Sequence, residues 1–246
     1  MSKELSIVVP AFNESARIVP SLEKILTYVR EKGLDAELIV VDDGSSDDTA
    51  EIAGKVAERY DEIKTNVIRH KQNRGKGNAV KTGLLAAEAD IALFSDADLS
   101  TPIEEAEKLI APISNGEMDL TFGSRALDRS LIGTHQPWRR EQGGKVMNFV
   151  IRKMSGLGFA DTQCGFKAFN MKKFRPLLDV MTVDRFGFDV EFLFVAKYHG
   201  LRLAEIPVRW NDVEGSKVSV FRDTRRMFSE LALIRRNAKN GVYDLK

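Results

Sequence analysis

Cysteine is almost absent. Cys164 stands alone among 246 residues, so no intrachain disulfide can form and a reducing, cytoplasmic setting is expected. Long apolar runs are missing too. Leu5 to Val9 is too short for a secretory leader and runs straight into Pro10, and no uninterrupted stretch is long enough to span a bilayer. Glycine is lacking where a dinucleotide-binding fold needs it: the first strand is followed by Pro10-Ala11-Phe12-Asn13-Glu14, Gly75-Lys76-Gly77 comes much later, and there is no Walker pattern. Repeats and low-complexity tracts are absent. Aromatics and cations coexist without the periodic stacking platform that nucleic-acid recognition calls for.

What is present suits a globular protein, with 43% hydrophobic and 30% charged residues. The formal charge of +1 conceals an asymmetry. Asp42, Asp43, Asp47, Asp48, Glu51 and Glu58 crowd the opening third, whereas Arg125, Arg129, Arg139, Arg140, Lys145, Arg152 and Lys153 cluster later. A local basic field attracts anions even when the whole chain is near neutral; the plainer reading is a solvated mixed surface.

Apolar runs at Leu5–Val9, Leu38–Val41 and Ile91–Phe94 and shorter segments near Asn66–His70 and Leu120–Gly123 read as strands, and helical periodicity fills the gaps between them. Thr101 as N-cap, Pro102 at the first helical position and Glu104 three residues after the cap predict a capping box. Further on, helices are expected near Gly144–Ser155, Phe188–Tyr198 and Phe221–Ala238, with strands near Phe166–Asn170 and Leu203–Ile206. The alternation predicts an α/β class with a mostly parallel sheet flanked by helices. One domain over 1–246 is expected, with a nucleotide-binding half to about residue 123 and an acceptor-binding half from 124 to 246.

Two acidic groups close predicted strands: Asp42-Asp43 and Asp96-Ala97-Asp98. Carboxyl ends of parallel strands share one edge, where ligands usually bind, so the groups are expected to face one cleft. Asp98, with Asp96 beside it, suits a hard divalent cation, Mg2+ or Mn2+, that would neutralise a departing diphosphate; the alternative is a solvated turn capping the next helix. Asp43 suits a nucleoside, as do Asn13 and Glu14 unless they cap the first helix. Arg74 suits a diphosphate or the organising of the acidic loops, and Lys76 either phosphate or solvent.

On the other side, Arg125 and Arg139 are candidate phosphate clamps. Asp161 to Lys167, with Asp161 and Gln163 as its polar contacts, reads as a substrate-facing turn, and Cys164 as buried packing. Asp189 is the general-base candidate for a hydroxyl acceptor, or a carboxylate that only answers its helix N-terminus. Ser216 and Lys217, in Glu214-Gly215-Ser216-Lys217, suit an acceptor phosphate. Met227, Leu231, Ile234 and Ala238 form one stripe on the last helix, read as core-facing or as a peripheral membrane contact.

The motifs VVPAFNE at Val8–Glu14, VVDDGSSDDT at Val40–Thr49, NRGKGNAVKTG at Asn73–Gly83 and DADLSTP at Asp96–Pro102 resemble family 2 glycosyltransferases of GT-A fold. GSR at Gly123–Arg125, DTQCGFKAF at Asp161–Phe169, FDVEFL at Phe188–Leu193 and AEIPVRWNDVEGSK at Ala204–Lys217 are most similar to polyprenyl- and dolichyl-phosphate β-glucosyltransferases. The resemblance implies an inverting transfer, most simply of glucose from UDP-glucose onto a polyprenyl phosphate. It implies nucleotide contacts at Pro10, Asn13, Glu14 and Asp43, a donor–metal pair at Asp96 and Asp98, and phosphate clamps at Arg125 and Arg139. The competing expectations are a UDP- or GDP-sugar transferase acting on a soluble hydroxyl, and a noncatalytic nucleotide-sugar sensor.

Overall fold

The structure is a computed structural model that describes residues 3–134, 138–213 and 220–245. Its elements run β1 (Leu5–Ala11), α1 (Ile18–Lys32), β2 (Ala36–Asp42), α2 (Thr49–Glu58), β3 (Lys64–Arg69), α3 (Lys76–Ala86), β4 (Ile91–Ser95), α4 (Ala106–Ser114), β5 (Leu120–Ser124), β6 (Ile132–Thr134), α5 (Trp138–Ser155), β7 (Phe166–Asn170), α6 (Met171–Leu178), α7 (Phe188–Tyr198), β8 (Leu203–Pro207), β9 (Trp210–Asn211) and α8 (Val220–Lys239). β6 and β9 form a small parallel pair.

The main sheet has seven strands in the order β3-β2-β1-β4-β7-β5-β8. Every neighbouring pair is parallel except the two that involve β7, which runs antiparallel to β4 and to β5. This is the expected α/β class with one reversal, and the reversal matters. A reversed strand brings the loop that precedes it, not the one that follows, to the edge where the parallel strands end. Residues 161–165 therefore share an edge with the loops after β1 and β2 and meet those after β4 and β5.

Both faces of the sheet are covered, as a mainly parallel sheet requires. On one face Val8, Phe94, Phe122 and Phe169 pack with α3, α6 and α7; on the other Ile7, Val9, Leu93, Phe166 and Ala168 pack with α1, α2 and α4. The stripe on α8 belongs to the first core. Met227, Leu231 and Ile234 are buried there and Ala238 packs against it, so this stripe faces the protein and the expected membrane contact is withdrawn. Among the described residues no helix is long and apolar enough to cross a membrane.

Two local expectations change. Pro10 lies inside β1 instead of ending it. The β4 ladder on that side stops at Val8, and Pro10 registers only with Val41 of β2, so the missing N–H leaves no gap in the sheet. The capping box does not form: a 3-10 turn, Ile103–Glu105, precedes α4, while Thr101 turns inward with its hydroxyl 3.8 Å from Cys164 Sγ. Tertiary packing outcompetes the local cap.

Candidate active site

Asp43 is the hub of the nucleotide-side loops. Its Oδ1 accepts from His70 Nδ1 at 2.8 Å and from the Arg74 amide at 2.9 Å, and its Oδ2 accepts from the Gly75 amide at 2.8 Å. Asp42, wholly buried, closes its own turn by accepting from Ser45 N at 3.0 Å and contacts Arg69 Nε at 3.2 Å. Asn13 holds a left-handed backbone, φ 55°, and its Oδ1 accepts from Ser46 N at 2.8 Å, which ties the loop after β1 to the loop after β2. Glu14 pairs with Arg17, and Pro10 is buried in the strand. The Arg74 side chain is exposed, and its contribution to the loop is its amide.

The acid pair follows β4. Leu99, with φ 48°, donates its N–H to Asp96 O at 3.1 Å, a tight turn that folds Asp96 and Asp98 back over the strand end. Strained non-glycine residues of this kind concentrate at functional sites; among the described residues, Asn13 and Leu99 are the two, and both lie at this edge. Asp98 accepts from Ser100 N at 3.0 Å. Asp96 Oδ1 lies 2.6 Å from Lys76 Nζ, an ion pair without hydrogen-bond geometry, and both side chains are 29% exposed. Burial raises the Asp96 pKa, with Asp98 and Asp189 adding to the shift and Lys76 opposing it. For Lys76, burial works to lower the pKa, but Asp96, Asp189 and Asp98 outweigh it and hold the pKa above the ordinary lysine value.

Lys76 reaches this place because it opens α3 directly after Gly75, whose φ is 106°. A side chain there would also collide with the Asp184 carbonyl and with Arg185 Cγ, 2.8 Å away. Asp96 is held from the other side by residues 161–165: its N–H donates to Gly165 O at 3.0 Å, and its carboxylate lies directly over Gly165, so a Cβ there would stand 2.7 Å from Oδ1 and nearer still to Oδ2.

The acceptor side is built from two buried carboxylates, each with a cation. Asp161 grips Arg125 with both oxygens, Oδ2 to Nε at 2.6 Å and Oδ1 to NH2 at 2.9 Å, and also accepts the Arg125 amide at 3.1 Å. Burial opposes both charges, yet the pairing wins: Asp161 is held below and Arg125 above its ordinary pKa. The Arg125 guanidinium lies over the Trp210 ring at 5.7 Å, and its side chain keeps 31% exposure, so one face of the ion pair meets solvent. Glu205, on β8, braces the loop by accepting from Ser124 Oγ at 2.7 Å, Asp161 N at 2.7 Å and Ala160 N at 2.8 Å. Asp161, expected to contact substrate, is thus turned toward Arg125. Gln163 joins the same turn through its amide, 3.2 Å from Asp161 Oδ1.

Asp189 stands in the first turn of α7 and is 5% exposed. Its partner is Lys167, fully buried on β7, whose ammonium donates to Asp189 Oδ1 at 2.6 Å and to Cys164 O at 2.6 Å. Burial pushes the Cys164 thiol up to about 11, which suits packing and not nucleophilic chemistry. Ser216 and Lys217, and the side chain of Arg139 in α5, lie outside the described residues.

Sequence reasoning picked out Asp96, Asp98, Arg125 and Asp189 individually and placed Gly165 and Lys167 in a substrate-facing turn, but it gave those two no role of their own and missed Glu205 and Arg17. For Lys167 a signal was available: a lysine inside the apolar run Phe166–Phe169 has no reason to be there unless it is paired.

A divalent cation can be tested against these groups. Among the described residues no three His, Cys, Asp or Glu side chains converge into a closed metal cage. The Asp96–Asp98 pair, with Oδ1 of Asp96 already facing a cationic group, the Lys76 ammonium at 2.6 Å, fits the kind of ion that takes one or two carboxylates and completes its shell with water and phosphate oxygens.

Residues 6–178 match the model of Glycosyl transferase family 2. Two dolichyl-phosphate beta-glucosyltransferases are similar in sequence: that of Homo sapiens is 33% identical, covering 100% of this chain and 79% of that protein; that of Saccharomyces cerevisiae is 33% identical, covering 97% and 76%. Among solved structures, glucosyl-3-phosphoglycerate synthase from Mycobacterium tuberculosis with Mn2+ and UDP-glucose has a TM-score of 0.70 at 21% identity, covering 95% of this chain and 79% of that one. The same enzyme is known with Mn2+, UDP-glucose and phosphoglyceric acid together, at TM-score 0.69 and 20% identity over 94% and 79%.

These findings correct the expected subgroup and acceptor. Solved structures of one enzyme with this fold, glucosyl-3-phosphoglycerate synthase, hold phosphoglyceric acid, a soluble molecule, whereas a polyprenyl phosphate was expected here. The motifs therefore do not select a lipid, although the sequence relatives named above act on one; a phosphate-bearing acceptor is common to both sets of names. At the level that both the family model and the sequence relatives support, this chain belongs to glycosyl transferase family 2.

Proposed function

We propose that the protein transfers glucose from UDP-glucose to a hydroxyl of a small soluble acceptor that carries a phosphate, with Mg2+ or Mn2+ as cofactor. The observation that carries the reading is the single sheet edge on which Asp96–Lys76, Asp161–Arg125 and Asp189–Lys167 stand in a row. Carboxylates and cations gathered at one edge are electrostatically expensive, and a ligand with both anionic and hydroxyl groups makes use of those that keep exposure, Lys76, Asp96 and Arg125.

In this reading Asp96 and Asp98 hold the cation, which when bound neutralises charge on the diphosphate. Asn13, Glu14 and the loop organised by Asp43 line the nucleoside. Lys76, at the amino end of α3, faces the donor phosphates. Arg125 presents its exposed face to the acceptor phosphate while Asp161 fixes the guanidinium plane. Asp189 takes the proton from the attacking hydroxyl, which places it between the two substrates. The neighbours support that position: Asp189 acts electrostatically on both Lys76 and Arg125.

The test is product mass after incubation of the protein with UDP-glucose and Mn2+ or Mg2+, offering phosphoglyceric acid or a detergent-dispersed polyprenyl phosphate. Glucosylated phosphoglyceric acid supports the reading; glucose found exclusively on the lipid refutes the acceptor assignment. Asp98→Ala should abolish transfer, and a variant as fast as the wild type would remove the metal role.

A further inference from the structure

Among the described residues Lys167 is the most deeply buried cation near the cleft, and the sheet gives it no structural reason to be a lysine. It registers with Phe94 on β4 and with Phe122 on β5, both wholly buried, on the face packed against α3 and α7. An apolar side chain would complete that row. Withdrawing an ammonium from water is costly, and buried ion pairs are often no more stabilising than the apolar residues that could replace them.

Its two contacts join the two parts of the site. One acceptor is the carbonyl of Cys164, next to Gly165, the residue over which Asp96 lies. The other is Asp189 Oδ1, at the start of α7. The ammonium is thus a fixed strut between the loop that seats Asp96 and the carboxylate assigned as base. We propose that Lys167 is a positioning residue for the transfer: it sets the orientation of Asp189 toward the acceptor hydroxyl and ties that orientation to the loop bearing Gly165. The inference rests on the reading of Asp189 as the base. Lys167 itself, with no exposed surface, touches neither substrate.

The test is a double-mutant cycle on kcat with Lys167→Met, Asp189→Asn and the two combined, each variant also checked for UDP binding and thermal melting. Asp189→Asn should lower kcat by about 10²- to 10⁴-fold, as loss of a base does. Lys167→Met should lower kcat by about 10- to 100-fold with the KM for UDP-glucose changed less than about twofold. In the Asp189→Asn background the same change should alter kcat by less than about twofold, because the group it acts through is already disabled. A purely structural lysine would instead reduce kcat by the same factor in both backgrounds.

Lys167→Met at wild-type kcat beside an impaired Asp189→Asn overturns this inference alone. Asp189→Asn at wild-type kcat overturns the base assignment, and the inference with it. Where Lys167→Met fails to fold, Lys167→Gln, which keeps an N–H donor in place of the charge, supplies the single-site measurement, and the same equal loss in both backgrounds would refute the proposal.

Discussion

Replacing Gly165 with alanine adds one methyl group where the Asp96 carboxylate crosses the loop ahead of β7. The Cβ would lie 2.7 Å from Asp96 Oδ1 and closer to Cγ and Oδ2, whereas ordinary contact begins at 3.4 Å. The carboxylate must therefore recede by about 1 Å, a displacement that costs about 100-fold when a reacting group is involved. The backbone cannot share the movement easily, because Asp96 N–H is bonded to Gly165 O at 3.0 Å and Ser95 is in register with Phe166. Overpacking adds about 1–3 kcal/mol of destabilisation. The assay is the initial rate of glucosyl transfer across a Mn2+ titration, paired with thermal melting. Gly165→Ala should need more Mn2+ and turn over about 100-fold more slowly. Gly54→Ala is the control: its Cβ would meet nothing within 4 Å, and it should gain about 0.5–1 kcal/mol from helix propensity at an unchanged rate. A Gly165→Ala enzyme with wild-type Mn2+ dependence and rate would refute the claim that this glycine seats Asp96.

Two further outcomes concern the frame. Burial works to raise the Asp47 pKa, but hydrogen bonds from Thr49 and Ser15 outweigh it and lower the pKa from 3.8 to about 2. A lowered folded-state value means stabilisation that is complete above 3.8 and lost as the pH falls through about 2. Asp47→Asn should thus cost about 1 kcal/mol at neutral pH, with the gap to wild type closing between those two values; a gap that stays constant in an acid unfolding series contradicts this. Tyr243 donates its buried hydroxyl to Glu191 at 2.8 Å, and Glu191 also accepts from Val183 N at 2.9 Å. Tyr243→Phe should lose about 1–3 kcal/mol in urea unfolding while UDP affinity stays unchanged, and equal stability would show the bond to be dispensable.

Much of the fold was legible. Continuous apolar runs ending in acids marked strands covered on both faces, and helical periodicity between them marked the helices; in the first, Ile18, Leu22, Ile25 and Val29 are all buried. The direction of β7 was not legible, because an apolar run such as Phe166–Phe169 reads the same in either direction; nor was α6, which is short and interrupted by Pro176. At the site, residue type suggested ligand contact for Asp43 and Asp161, but the structure turns both toward neighbouring protein groups, Asp43 to the His70–Gly75 loop and Asp161 to Arg125. A carboxylate's partner depends on which donors the fold brings within about 3 Å, and that is not a local property of the sequence.

Apolar periodicity and the order of acids and glycines were enough to determine the α/β class and the strand ends at which chemistry is placed, and the motif resemblance pointed to the family. Tertiary structure alone decided which cation meets which carboxylate. It set Lys76 on Asp96, Arg125 on Asp161 and Lys167 on Asp189, pairs separated by between 20 and 36 positions in the chain. The physical reason is that strand order and the reversal of β7, neither encoded in any single segment, determine which loops share an edge, and charges interact through distance in space and not along the chain.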